Sequence, residues 1–323
     1  MDNNKLYKDA FIKIVEDAAI ASYKYAGSGD NDQADLAAVS SMRNNLQNIE
    51  NLKIKVAIGE GERDKAPMLY INEVIGDEKA INSMEIAVDP LEGTSICADY
   101  KPGAITVLAY GAEGAFLRAP DCYMNKIIVG SSLKNADISL DYSVYDNLRN
   151  IAKEKSCNIN DIVIVLLKRE RNQYIVDEIR KHGAKIRFID DGDIAVALEF
   201  ILQDYEYFSA ANFIGDVYMG IGGAPEGILA ATAIKNLGGK MQGKLLLDTP
   251  KLCEYAASLG INDYNKVYNA NDFVKKDAVL VISGVTSGNL LHGIKYLNNK
   301  IYVNSMVFEK NNFYLINKVK QYG

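Results

Sequence analysis

Val88-Asp89-Pro90-Leu91-Glu92-Gly93-Thr94-Ser95 closes the apolar run Glu85-Ile86-Ala87-Val88 and gathers two carboxylates, a glycine and two hydroxyls into one turn. The run predicts a strand that ends at Asp89. Pro90 fixes its own φ and biases Asp89 away from α geometry. Gly93 has no side chain, so backbone can approach a ligand there. Thr94 and Ser95 are placed to open a helix, whose free N–H groups and positive dipole suit a phosphate. Asp89 and Glu92, three apart across the turn, can converge on a hard cation. This stretch alone leaves a plain capped strand-to-helix turn open as the other reading.

The rest of the chain narrows the choice. At 323 residues with 48% hydrophobic side chains, it has enough apolar material for two lobes. The start, Met1-Asp2-Asn3-Asn4-Lys5, carries no basic segment followed by an apolar one, and no stretch is apolar enough to span a bilayer. A cytoplasmic location and no membrane partner are therefore expected. Cys97, Cys122, Cys157 and Cys253 are scattered without a Cys-x-x-Cys pair and read as buried free thiols. A net charge of −6 without a Lys/Arg cluster excludes nucleic acid as the expected partner. An anionic substrate then needs local positive charge from metals and a few placed arginines.

Periodicity predicts a helix over 5–26, a second beginning near Asp35, a strand over 53–58 that delivers Glu60 and Glu62, and a short helix over 67–75. A hairpin is expected from 105–110 and 115–117, then a strand near 126–129. From residue 161 strands (162–167, 185–189, 217–220, 278–283) alternate with helices (172–182, 194–202, 226–236), the pattern of an α/β lobe with a largely parallel sheet. The expected division is 1–160 as an α+β metal-binding lobe, 161–300 as an α/β substrate lobe, and 301–323 as a hairpin assigned to neither.

Only His182 and His292 are present, and His182 sits in a helix-ending Lys-His-Gly, which argues against a histidine triad or zinc site. Acid–base work falls to carboxylates, hydroxyls and metal-bound water. Asp35, Glu60, Glu62, Asp89, Glu92 and Glu226 stand at predicted element ends, and oxygen ligation of this kind suits Mg²⁺ or Mn²⁺. Taken singly, Asp35 is an N-terminal helix acid and Glu226 a first-turn glutamate. Gly220-x-Gly222 resembles the start of a dinucleotide fingerprint, but Pro225 stands where the third glycine belongs. Arg169, Glu170 and Arg171 follow a strand and precede a helix, where ligands bind in open α/β sheets, and guanidinium forks suit phosphate. Asp191-Gly192-Asp193 also follows a strand and can accept hydrogen bonds from sugar hydroxyls.

Asp89-Pro90-Leu91-Glu92-Gly93-Thr94 resembles the D-P-[IL]-[DE]-G-T signature of the lithium-sensitive, metal-dependent sugar and inositol phosphatases. Glu92 in place of the second aspartate, with Gly59-Glu60-Gly61-Glu62 upstream, resembles class II fructose-1,6-bisphosphatases. The likeness covers roughly residues 18–293 and takes in Ala34-Asp35, 62–70, Asp191-Gly192-Asp193 and 220–227. It implies α+β and α/β lobes in a two-lobed sugar-phosphatase fold, layered α-β-α-β-α, with the active site in the cleft and a homo-oligomeric assembly. It also implies hydrolysis of the 1-phosphate of fructose 1,6-bisphosphate in gluconeogenesis, driven by divalent-metal-activated water. On the metals it places Asp35, Glu60, Asp89, Glu92 and Glu226. On the substrate it places Glu92, Gly93, Thr94, Tyr123, Arg169, Glu170, Arg171, Asp191, Gly192, Asp193 and Gly223. Where the family reads Arg/Lys-Pro-Arg-His, this chain has Glu170 for the proline and Asn172 for the histidine.

Phosphate monoesters hydrolyse very slowly, so rate must come from charge stabilisation and an activated nucleophile. Thr94 is expected to orient the water or to attack phosphorus itself, with Glu62 and Asp64 as candidate bases. Paired grips at Arg169 and Arg171 favour a bisphosphate over an inositol-type monophosphate. A sedoheptulose 1,7-bisphosphatase needs the same turn, and a sugar-phosphate sensor without turnover is the reading outside enzymes.

Overall fold

Apolar residues three and four apart fold the start of the chain into helix Lys8–Tyr23, which buries Phe11, Ile14, Val15, Ala18 and Ala19 on one face. The computed structural model describes residues 3–59, 68–205 and 214–321. The chain divides into two compact units, Met1–Arg118 with Val274–Gly323, and Ala119–Phe273. The expected boundary at residue 160 thus gives way to two crossings, after Arg118 and before Val274, and the final hairpin belongs to the first unit.

Strand pairing is the reason. With strands numbered in chain order, the first unit holds β1 (Leu52–Ile58), β2 (Val74–Gly76), β3 (Asn82–Glu92), β4 (Ile105–Gly111), β11 (Ala278–Gly284), β12 (Lys295–Leu297), β13 (Lys300–Glu309) and β14 (Asn312–Gln321). Their order is β12-β13-β11-β4-β3-β1-β2, with β14 on the free side of β13. Strand β11 was expected in the α/β lobe; instead it lies antiparallel between β4 and β13, where all of its side chains are buried. Likewise β4 pairs with β3 and β11 rather than closing a hairpin with 115–117, and Phe116 makes an isolated bridge to Val274. The helix expected over 67–75 does not form in the described part, since β2 runs antiparallel to β1 there. The last hairpin is tied to the first helix by ion pairs from Lys318 (3.0 Å) and Lys320 (3.1 Å) to buried Glu16.

Helix Lys8–Tyr23 lies over this sheet, and its buried Phe11 stacks on Tyr110 at 4.2 Å between ring centroids. Phe11→Ala is expected to cost about 3–5 kcal/mol, read as a lower denaturant midpoint at unchanged m-value. A loss below about 1 kcal/mol would show that the core collapses around the deleted ring.

The second unit holds β5 (Tyr123–Val129), β6 (Val163–Leu167), β7 (Lys185–Ile189), β8 (Val217–Gly223), β9 (Lys240–Leu246) and β10 (Tyr268–Asn269), ordered β10-β9-β5-β8-β6-β7. The sheet is mixed rather than largely parallel. Strand β6 runs parallel to β7 and β8, whereas β5 is antiparallel to β8 and β9. Side chains alternate across it. Ile127, Val129, Ile164, Leu166, Val217 and Met219 pack with Leu148, Ile151, Ile175 and Ile179 of the helices Val144–Lys155 and Gln173–Lys181. Helices Asp193–Leu202 and Ala224–Leu237 pack on each other and on β5 and β8. Each unit therefore joins a sheet to helices, the mixed α and β architecture that the sequence predicts. Among the described residues no helix is long and apolar enough to cross a membrane.

Candidate active site

Strand β3 does not stop at Asp89. It runs on to Glu92 through a bulge: Asp89 pairs with Val107 and Glu92 with Ile105, so the register shifts between them. Pro90 sits in the bulge, where its missing N–H leaves no ladder bond unmade. Asp89 Oδ1 accepts a hydrogen bond from the Leu91 N–H at 3.2 Å. Gly93 then turns the chain with φ +79° and ψ +50° and caps the short helix Thr94–Ala98. A Cβ there would lie 3.1 Å from Ile96 Cδ1 on a backbone that side-chain-bearing residues rarely adopt, so the turn requires glycine. Thr94 Oγ1 donates to the Leu91 carbonyl at 3.0 Å, which fixes the hydroxyl and leaves its oxygen lone pairs able to accept a hydrogen bond. Glu92 is only 5% exposed.

Asp35 lies one turn into its helix rather than at the start. Helix Asn31–Gln47 is capped by Asp30, whose side chain accepts from the Gln33 N–H at 3.0 Å. That cap begins the helix earlier than the apolar spacing alone indicates. Ala34 and Ala38, on either side of Asp35 in sequence, share a core cluster with Leu91 and Cys97, so this helix packs against the Asp89–Thr94 segment. Glu60, Glu62 and Asp64 lie outside the described residues.

In the second unit the candidate residues gather at one sheet edge. Parallel β6, β7 and β8 all end there, delivering Arg169–Arg171, Asp191–Asp193 and Gly223–Glu226, while antiparallel β5 begins there with Tyr123 opposite Gly223. Carboxyl ends of parallel strands are where α/β sheets bind ligands. The Arg171 guanidinium lies 4.3 Å from the Tyr123 ring centroid, and its Nε donates to the Ile221 carbonyl at 3.1 Å. Buried Asn172 locks the loop: its Nδ2 donates to Leu167 O (2.9 Å) and its Oδ1 accepts from Ile221 N (2.7 Å). Arg169 and Glu170 are exposed, and Arg169 turns back to the Lys168 carbonyl at 3.2 Å. Of the two arginines expected to form a paired grip, Arg171 is held by its neighbours and Arg169 lies at the surface.

The triplet at 191–193 also divides. Asp191 Oδ1 accepts from Gly192 N (3.0 Å), and Gly192, at φ +83°, caps helix Asp193–Leu202. Asp193 is buried and ion-paired with Lys126, with Tyr218 Oη 3.4 Å from the same Oδ2. That oxygen is committed within the protein rather than displayed to a sugar hydroxyl, because burial demands a partner for the charge.

Glu226 is in the first turn of helix Ala224–Leu237, after Pro225. Its carboxylate folds over Gly223, where a Cβ would overlap it. Burial pushes the Glu226 carboxyl up to about 7, nearby Asp193 adding to the shift and Lys126 opposing it. Its Oε2 is buried with no hydrogen-bond partner among the described residues. A buried carboxylate oxygen without a protein partner among the described residues is of the kind that suits a hard divalent cation. Among the described residues no three His, Cys, Asp or Glu side chains group closely enough to hold a metal, and Glu60 is outside them.

Sequence reading missed Lys126. The signal was present: one lysine interrupts an apolar strand, Tyr123-Met124-Asn125-Lys126-Ile127-Ile128-Val129. Of the glycines in the partial dinucleotide pattern, Gly222 makes room for this pair, since a Cβ there would lie 2.8 Å from Lys126 Nζ, whereas one on Gly220 would lie 3.2 Å from Asn172 Oδ1. All four cysteines are free; Cys97 and Cys122 are buried, Cys157 and Cys253 only partly.

The model of the family described as "Bacterial fructose-1,6-bisphosphatase, glpX-encoded" matches residues 5–321. A relative from Trichormus variabilis is 36% identical over 320 residues, covering 92% of this chain and 90% of that protein. One from Thermosynechococcus vestitus is 36% identical over 321 residues, with 92% and 90% covered. A third, from Prochlorococcus marinus, is 37% identical over 321 residues, with 94% and 92% covered. All three are named D-fructose 1,6-bisphosphatase class 2/sedoheptulose 1,7-bisphosphatase. With the family pattern matched over nearly the whole chain, this protein belongs to the bacterial, glpX-encoded fructose-1,6-bisphosphatases.

Proposed function

We propose that this phosphatase removes the 1-phosphate of fructose 1,6-bisphosphate, giving fructose 6-phosphate and inorganic phosphate. Asp35, Glu60, Asp89, Glu92 and Glu226 would hold Mg²⁺ or Mn²⁺. Bound divalent cations supply charge for the phosphoryl oxygens and acidify water. The observation that carries the reading is the bulged turn, which brings Asp89, buried Glu92 and the fixed Thr94 hydroxyl into six consecutive residues.

The protein's own groups then have separate tasks. Thr94, its O–H donated as a hydrogen bond to Leu91 O, accepts a hydrogen bond from the attacking water and aims it. Arg171, with Tyr123 stacked against it, holds the phosphate that is not cleaved. Asp191 and the Gly223 backbone orient the sugar from the same sheet edge.

The relatives' names add sedoheptulose 1,7-bisphosphate, which presents the same two phosphates on a longer sugar, so one grip at Arg171 serves both substrates. Inorganic phosphate release from a panel of both bisphosphates, inositol monophosphate and p-nitrophenyl phosphate, with Mg²⁺ or Mn²⁺, is the deciding measurement. Turnover of neither bisphosphate would overturn the reading.

Arg171→Ala tests the grip. It is expected to remove charge-assisted bonds worth about 1.5–3 kcal/mol, roughly a ten- to hundred-fold fall in kcat/KM for fructose 1,6-bisphosphate. Turnover of p-nitrophenyl phosphate should hardly change. Equal losses on both substrates would place Arg171 at the reacting phosphate or in the scaffold.

A further inference from the structure

Lys126 is 1% exposed in the middle of β5. A buried ammonium is tolerated only when its charge is paired and its donors are used. Here they are used across two helix starts. Nζ bonds the carboxylate of Asp193, the first residue of helix Asp193–Leu202. It also donates to the carbonyl of Gly223, the N-cap of helix Ala224–Leu237, at 3.0 Å. The Tyr218 ring lies beneath, 5.8 Å from Nζ to its centroid.

The surroundings leave room for this arrangement and little else. A Cβ on Gly222 would lie 2.8 Å from Nζ, and one on Gly227 would lie 3.1 Å from Lys126 Cδ. Charge is unbalanced in a definite way. Glu226 feels the carboxylates of Asp193 and Asp121 against the one Lys126 ammonium. Lys126 takes Asp193, whereas Glu226, three residues beyond the carbonyl that Lys126 holds, keeps a buried Oε2 without a hydrogen-bond partner among the described residues.

We propose that Lys126 is a positioning residue of the phosphatase: by occupying Asp193 and holding the Gly223 carbonyl, it sets the first helical turn so that Glu226 is the carboxylate this unit offers to a divalent cation. The inference rests on the reading of Glu226 as a metal ligand. A neighbour that orients a ligand without touching the metal commonly governs metal affinity by ten- to hundred-fold.

The test uses the full chain and Mn²⁺ alone, with the dissociation constant followed by the electron paramagnetic resonance of free Mn²⁺ and folding by Tm. Glu226→Gln is measured first and is expected to weaken or remove one Mn²⁺ site; an unchanged titration overturns the metal reading itself, whatever Lys126 does. Lys126→Met is expected to weaken the same site by about ten-fold or more and to lower Tm, because Asp193 is left buried and unpaired. The double variant Lys126→Met/Asp193→Asn removes that stranded charge. It should regain most of the lost Tm yet keep the weakened Mn²⁺ site, since Gly223 still lacks its donor. Recovery of Mn²⁺ affinity together with Tm would show that Lys126 only neutralises Asp193, and full Mn²⁺ affinity in Lys126→Met would likewise overturn the proposal.

Discussion

Asp89→Asn and Glu92→Gln are each expected to lower kcat/KM for fructose 1,6-bisphosphate by about a thousand-fold or more, equivalent to roughly 4 kcal/mol of lost transition-state stabilisation. Each change is nearly isosteric and deletes only a negative charge. The turn itself should survive. An asparagine Oδ1 can still accept from the Leu91 N–H, as Asp89 does at 3.2 Å, and the bulge is set by Pro90 and Gly93 rather than by the carboxylates. Glu92, buried at 5% exposure, keeps its size and loses only its charge. Phosphate release is measured at ordinary and at raised metal concentration, with Tm as the control. Near-native turnover in either variant at ordinary metal removes that residue from the metal set.

Thr94→Ala should lower kcat by about a hundred- to ten-thousand-fold while KM moves little, the range of a side chain that handles the proton and aim of a nucleophile. Its Oγ1 is held by the 3.0 Å bond to Leu91 O, so the oxygen is preorganised before substrate arrives. Losing that bond alone is worth about 1 kcal/mol of stability, far less than the kinetic effect. Thr94→Ser keeps the hydroxyl and should retain substantial activity. If the alanine and serine variants fall equally, or if only KM rises, the hydroxyl does no more than brace the turn.

Much of this chain was legible before any coordinates. The turn at 89–94, the amphipathic first helix, the closing hairpin and Glu226 at the start of its helix depend on residues a few positions apart. Pro90 and Gly93 speak for their own backbone, and a helix face needs only its three- and four-residue spacing. Even where local reading misplaced an element, as with Asp35 in the second turn of its helix, the cause was local: Asp30 caps earlier than the apolar pattern begins.

What the tertiary structure decided is which distant segments lie side by side. Nothing near Ala278 in sequence says that β11 returns to the first sheet, or that β5 inserts between β8 and β9, because a strand's neighbours are chosen by hydrogen bonding and burial across long stretches of chain. Register then sets Tyr123 opposite Gly223, and buried charge draws Lys126 to Asp193 across 67 residues. Sequence by itself determined which groups the turn carries and the kinds of groups available elsewhere. Only packing, which must pair each buried charge and bond each buried amide, decided that Arg171 would be stacked and held, that Asp193 would be spent on Lys126, and that Glu226 would keep its oxygen.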